Sequence, residues 1–413
     1  MRQSHLYIPT QNVPPGEEVS RNGRLLQQAG FVDKLHAGAY TWLPLGLRVL
    51  ERVSQIVREE QDRIGAQEML MPALQPKALW DSTGRWTTLS DIMYQWEDNK
   101  GHAVGLAVTH EEVITDLLRR GELTYKTLPQ ALYQIQWKFR NEPRAKSGVL
   151  RGREFLMKDL YSFHATAEEL DIFYSKVHEA YRKTYERLGL EAHITEASGG
   201  SFTKRHSHEF QVFSDAGEDR VLFCEACGYA QNTELGEEIT ACPKCGKPTT
   251  IKKSIEVGNT FNFGDYYTTA VGLQHTAADG VRKPVYVASY GIGVSRLVGT
   301  IAEVYADDKG LVWPRSVAPF AAHVLVLGKA SKDLQDRATA FEQAAQQKNI
   351  AVLVDDRDVS PGYKLKDADL LGMPFRIVFS ERQGSNVEVT NRATGEVQVC
   401  TPTKALAVLE TDV

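Results

Sequence analysis

Leu132-Tyr133-Gln134-Ile135-Gln136-Trp137-Lys138-Phe139-Arg140 alternates without a break. Tyr133, Ile135, Trp137 and Phe139 take one set of positions; Gln134, Gln136, Lys138 and Arg140 take the other. A period of two is that of a pleated strand, whose successive side chains point to opposite faces. A polar loop over residues 141–151 leads to a second extended run over residues 154–164. The pair predicts a long β-hairpin with one polar face.

Outward from the hairpin, Leu47, Leu50, Val53, Val57 and Ile64 recur at helical spacing, and Gly65 stands where a C-terminal cap belongs. A short extended run over residues 68–71 stops at Pro72. Downstream, Thr166 and Glu169 form a capping box for a helix reaching about Leu188, closed by Gly189. Residues 218–254 are polar and turn-rich. Residues 285–290 read as a strand, with Gly291 opening a helix to about Val304. Ala318-Pro319-Phe320 marks a boundary. Beyond it, residues 323–327, 350–354 and 375–379 read as buried strands separated by helical stretches, a small α/β domain.

The 413 residues suit two or three domains, and 42% hydrophobic residues supply a sizeable core. A net charge of −5 excludes a generally basic surface, which leaves any RNA contact to a local groove. Residues 1–15 are polar and hold prolines, so no signal peptide is expected. No apolar run reaches the ~18 residues of a membrane span. The expected location is the cytoplasm, with no membrane partner.

Three clusters carry chemistry. Phe139-Arg140-Asn141-Glu142 and Arg151-Gly152-Arg153-Glu154-Phe155 flank the hairpin loop. A strand-end arginine suits two-pronged binding of phosphate or carboxylate, a glutamate can accept from an exocyclic amine, and a phenylalanine can stack on a base. A solvated charged hairpin is the plain alternative. Ser289-Tyr290-Gly291-Ile292-Gly293-Val294-Ser295-Arg296 puts Gly291 and Gly293 at a strand-to-helix turn and Arg296 where a dinucleotide fingerprint needs its third glycine. A tight turn packed on a sheet explains it equally. Thr109-His110-Glu111-Glu112 has an N-cap threonine and acids at the positive end of a helix dipole, which is ordinary helix initiation.

Together these stretches resemble class II aminoacyl-tRNA synthetases, and among them the bacterial-type prolyl-tRNA synthetases. Leu70-Met71-Pro72 after its helix is similar to motif 1, which implies a homodimer. Phe139-Arg140-Asn141-Glu142 through Arg153-Glu154-Phe155-Leu156-Met157-Lys158-Asp159 is similar to motif 2, and residues 290–296 to motif 3. Residues 109–115 resemble the proline-recognition loop. Asp356-Arg357 and Pro361-Gly362 through Asp367-Ala368-Asp369-Leu370 resemble the anticodon-binding domain.

The resemblance implies an α+β fold: an antiparallel sheet flanked by helices over residues 1–317, then an α/β anticodon-binding domain over 318–413. It implies ATP-dependent activation of L-proline and transfer to tRNA(Pro). Arg140 would serve the α-phosphate and the carboxylate, Glu142 the adenine amine, Phe155 the ring, Arg151 the outer phosphates and Arg296 the γ-phosphate. Glu256 would meet Mg2+ or ATP. Thr109 and Glu111 would accept from the proline amine, with His164 and Phe261 as the apolar wall. A satisfied core histidine is the plain alternative for His164.

The sequence departs from the family between motifs 2 and 3. The interval is too short for the usual editing domain and holds Cys224, Cys227, Cys242 and Cys245, each pair followed by glycine. Paired Cys-x-x-Cys sequences in a reducing compartment point to structural Zn2+ in a four-thiolate site, a zinc-ribbon-like insertion over residues 218–254. Merely buried or redox-active cysteines are the alternative. Lys244, Lys247, Lys252 and Lys253 admit a tRNA contact or a solvated face. Cys400 reads as a small buried strand residue. Asn259 stands where the family more often has His.

Without the editing domain, alanine is a competitor, since a methylene is worth only about 1–3 kcal/mol of discrimination. Correction is therefore expected from a separate deacylase. Pure enzyme should leave Ala-tRNA(Pro) intact in a deacylation assay; rapid hydrolysis would contradict this. The rivals are a synthetase paralogue charging a non-tRNA carrier and a zinc-ribbon RNA-binding protein. Such paralogues typically lose the motif arginines or the C-terminal domain, and this chain keeps both. An RNA-binding module leaves Arg140, Glu142 and Arg296 without a role.

Overall fold

The computed structural model describes every residue except 14, 17, 144, 200–206, 237–238, 329–331 and 411–413. Two compact units result, one of Met1–His36, Tyr40–Val53 and Ile301–Val413, the other of Ala37–Ala39 and Ser54–Thr300. Among the described residues no helix is long and apolar enough to cross a membrane.

The larger unit is built on the hairpin. Strands Gln130–Phe139 and Glu154–His164 pair antiparallel from Gln130↔Phe163 to Phe139↔Glu154. Across the nine-stranded sheet the order is Ser207–Phe213, Ala192–Ala197, Ala230–Asn232, Asp219–Phe223, Thr250–Gly264, Tyr286–Ile292, Glu154–His164, Gln130–Phe139, Gln67–Glu68. Helix Ala167–Arg187 starts where expected: Thr166 caps it by accepting from the Glu169 amide at 3.2 Å, and Gly189 leaves it at φ 77°. The long upstream helix runs Pro44–Arg63 and is followed by Gly65 at φ 85°.

The polar face of the hairpin is largely buried, with Gln136 and Arg140 half-buried. Gln134 and Lys138 are completely buried, and Asp159 on the paired strand nearly so. Lys138 Nζ donates to Asp159 Oδ1 at 2.6 Å, while Gln134 Nε2 and Tyr161 Oη donate to Oδ2 at 2.9 Å each. Burial opposes ionisation of Asp159, but Lys138, His110 and the donated hydrogen bonds together outweigh it and hold the carboxyl below its usual range. A buried ion pair becomes tolerable when its remaining lone pairs are also satisfied, as here.

Two boundaries differ from expectation. The strand before the second glycine cluster runs Tyr286–Ile292 because Gly291 still pairs with Asn259 and Asp159; the helix begins at Val294. The helix after Thr109 begins at Glu111 with His110 at the cap position, so Thr109 does not cap it.

Residues 218–254 are less separate than a ribbon insertion implies. Asp219–Phe223 and Ala230–Asn232 pair with each other, and both join the main sheet through Thr250–Gly264 and Ala192–Ala197. In the smaller unit, Val352–Asp355, Ala322–Leu327 and Phe375–Ser380 lie parallel, then Val387–Asn391 and Val397–Cys400 add antiparallel. This last pair was not read from the sequence. Cys400 is buried in that core, as expected of it.

Candidate active site and thiolate cluster

A cleft of about 340 Å3 opens over the sheet, lined by Arg140, Glu142, Arg151, Phe155, Glu256, Gly291, Gly293 and Arg296. These are the residues expected at a nucleotide. Their order on the chain hides how they meet: three come from the end of the hairpin's first arm and its loop, one from its second arm, and the rest from Thr250–Gly264 and the strand-to-helix turn.

Arg140 is fixed from two sides. Its Nε and Nη2 donate to the Val108 carbonyl at 3.3 and 3.1 Å, and its guanidinium lies over the Phe155 ring at 5.2 Å. Arg296 donates from Nε to the Leu150 carbonyl at 2.8 Å and from Nη1 to Glu256, at 2.7 Å to the carbonyl and 3.1 Å to Oε2. Asn259 Nδ2 holds the other carboxylate oxygen of Glu256 at 3.1 Å. Arg151 bridges Glu142 at 3.0 Å and Glu218 at 2.5 Å, so an outer phosphate would have to draw it from these carboxylates. Gly291 lies close under two side-chain tips, which would have to shift to admit a larger residue. A Cβ there would lie 2.4 Å from the Met157 Cε and 2.8 Å from Asn259 Oδ1.

A cluster of hydrogen-bonded polar side chains centres on Glu111, whose charge reaches Arg140. Thr109 Oγ1 donates to Glu111 Oε2 at 2.5 Å, Ser289 Oγ to Oε1 at 3.2 Å, and Arg85 Nη1 to Oε2 at 3.1 Å. Arg85 also meets Glu112 at 3.1 Å and Tyr267 Oη at 3.1 Å. Buried His110 has its imidazole pushed down to about 4, by burial and then by Lys138, and is neutral at pH 7. Phe261 packs against the buried cluster of Tyr161, Phe263 and Tyr267, whose Tyr267 hydroxyl meets Arg85.

His164 is not brought here. Asp159 and Tyr161 are odd-numbered on their strand and meet His110 and Thr109; even-numbered His164 points to the opposite face. Its ring lies 5.4 Å from Phe173 of the helix Ala167–Arg187, it is 1% exposed, and burial pushes its pKa down to about 4. The position fits a core histidine.

Sequence reasoning missed Arg85, Ser289, Tyr161 and the Lys138–Asp159 pair, together with Glu209, Asp219 and Asn232 on the far wall of the cleft. Burial, with Glu256 nearby, pushes the Glu209 carboxyl up to about 7.

The four cysteines come together. All four sulfurs lie within 4.8 Å of one another, with Cys224–Cys245 at 3.5 Å and Cys227–Cys242 at 3.6 Å. A tetrahedral zinc with ~2.3 Å bonds separates its sulfurs by about 3.8 Å. Gly228 and Gly246 adopt φ 72° and 70°, and the amides of Lys244 and Cys245 point at the Cys242 sulfur. The donor set fits zinc.

Family models match in two places: the tRNA synthetase class II core domain (G, H, P, S and T) over residues 94–305, and an anticodon binding domain over 321–411. The proline--tRNA ligase of Jannaschia sp. (strain CCS1) is 37% identical over 436 residues, covering 98% of this chain and 96% of the relative. That of Wolbachia sp. subsp. Brugia malayi is 38% identical over 414 residues, covering 96% and 97%. The proline--tRNA ligase of Aquifex aeolicus is 31% identical with 96% of each covered, but over 548 residues, so it carries a long stretch with no counterpart here. A Giardia lamblia prolyl-tRNA synthetase in complex with prolyl-adenylate superposes with TM-score 0.77 at 18% identity, covering 92% of this chain and 74% of that one, a likeness of fold. Coverage this complete in both directions, at these identities, means that the chain belongs to the prolyl-tRNA synthetase family of class II aminoacyl-tRNA synthetases.

Proposed function

We propose that this protein activates L-proline with ATP and transfers the prolyl group to the 3′ end of tRNA(Pro). One observation carries the reading: Arg140 lines the cleft with Glu256 and Arg296, and the charges of Arg296, Glu256 and Glu111 all reach it. Both reactants are anions, so the protein's task is to neutralise charge and hold an in-line geometry. Arg140 would grip the proline carboxylate and the α-phosphate together. Glu142 and Phe155 would hold adenine, and Arg151 and Arg296 the outer phosphates. Glu111 and Thr109 would receive the secondary ammonium of proline, and Phe261 would back its ring. Mg2+ would neutralise the triphosphate near Glu256.

Residues 1–317 would then form the catalytic domain and 318–413 the anticodon-binding domain. A homodimer fits the groove around Met69 to Pro72, where Leu70, Leu74 and Leu117 remain 73%, 54% and 40% exposed. Residues 218–254 replace an editing domain, which leaves mischarged Ala-tRNA to a separate deacylase in the cytoplasm. Proline-dependent ATP–pyrophosphate exchange tests the activation step. Exchange with another amino acid but not with proline would overturn the reading.

Zinc in the four-thiolate site would be structural, since all four positions come from protein. Purified protein should contain one zinc per chain by elemental analysis. Cys242→Ser should release it and expose the segment around residues 224–245 to protease first. Intact protein free of zinc and equally resistant would contradict this.

A further inference from the structure

The two strands that carry the first cysteine pair end in the nucleotide cleft. Asp219–Phe223 and Ala230–Asn232 form a hairpin in the register Val221↔Asn232, Leu222↔Gln231, Phe223↔Ala230. Its turn is the Cys224–Cys227 knuckle, closed by the Cys224 amide on the Tyr229 carbonyl and the Gly228 amide on the Cys224 carbonyl, each at 2.9 Å. The open end, opposite the sulfurs, presents Asp219 and Asn232, and both line the cleft with Glu209 and Glu256.

Asn232 is 4% exposed and uses both ends of its amide. Oδ1 accepts from the Glu234 amide at 3.1 Å and starts the short turn Thr233–Leu235. Nδ2 donates to Glu209 Oε2 at 3.1 Å. Gln211 Nε2 reaches the same Glu209 oxygen at 2.9 Å and Asp219 Oδ2 at 2.9 Å. Gln211 in turn sits opposite Glu256 in the sheet. Two neutral donors thus converge on one oxygen of Glu209, and Oε1 takes no side-chain or backbone donor among the described residues. Three carboxylates, Glu209, Asp219 and Glu256, would otherwise repel one another at this wall, with Arg296 as the nearby cation.

We infer that Asn232 is a positioning residue for the nucleotide: the knuckle-bearing hairpin delivers its amide to Glu209, which aims that carboxylate at the cation-loaded triphosphate beside Glu256. The segment that stands in place of an editing domain is in this way part of the synthetic site. Asn232 acts through Glu209 and does not itself touch the reacting atoms. The inference rests on the reading of this cleft as the ATP site.

Asn232→Ser separates the two uses of the amide. A serine hydroxyl still caps the turn at Glu234 but is too short to reach Glu209. MgATP affinity is measured calorimetrically on the intact protein without proline, and proline affinity separately. N232S should bind MgATP about tenfold more weakly, the worth of a hydrogen bond to a charged group, with proline binding unchanged and the melting temperature lowered by only a few degrees. In a Glu209→Gln background the same substitution should add less than about twofold, because the two residues act as one unit. Unchanged MgATP affinity in N232S, effects that multiply in the double variant, or an equal loss for proline would each overturn the inference. Parent protein that fails to bind MgATP would instead remove the nucleotide site itself.

Discussion

Arg140→Ala should lower proline-dependent ATP–pyrophosphate exchange by about 10³-fold or more, the range seen when a donor aimed at developing charge is removed. The reason is its place. The guanidinium is held by the Val108 carbonyl and the Phe155 ring, so its free donors are committed in direction before any substrate arrives. Little reorganisation is then left for the moment of attack. Arg140→Lys keeps the charge but not the planar fork, and it should recover less than about tenfold of the loss. A melting curve separates this from unfolding, since Arg140 makes no ion pair among the described residues. Exchange within a few-fold of the parent in R140A would remove Arg140 from the chemistry.

The second large effect is expected at Glu111. Three donors, from Thr109, Ser289 and Arg85, already converge on its carboxylate. Glu111→Gln turns one oxygen into an NH2 group facing some of those donors and also removes the charge that would meet the proline ammonium. Both losses act on the same substrate. Hydrogen bonds to charged groups are worth about 1.5–3 kcal/mol, and a buried unsatisfied group costs about as much again. KM for proline should therefore rise by about 100-fold or more, with KM for ATP nearly unchanged. Exchange kinetics with each substrate varied in turn check this; a rise shared equally by both substrates would count against the assignment.

The hairpin and its arginine were legible because alternation survives in a single sequence. Which face was inside was not. Charged strand faces usually meet water, and only the pairing of Lys138 with Asp159 across the ladder makes this one burial-competent. Arg85 sits in a four-residue helix, Arg85–Thr88, too short to show any period. The same holds for Ala230–Asn232, three residues long, which is why the cysteine segment read as a separate module when its strands belong to the main sheet. His164 is different: its parity against Asp159 and Tyr161 was available in the sequence and already put it on the other face. The thiolate cluster was the most local signal, two Cys-x-x-Cys-Gly turns, and its sulfurs do converge.

The central claim is proline transfer to tRNA, and aminoacylation of a tRNA(Pro) transcript with labelled proline measures it most directly. The account predicts charging of tRNA(Pro) that depends on ATP, disappears in R140A, and leaves a non-cognate transcript uncharged. Proline-dependent exchange without any transfer to tRNA(Pro) would contradict it.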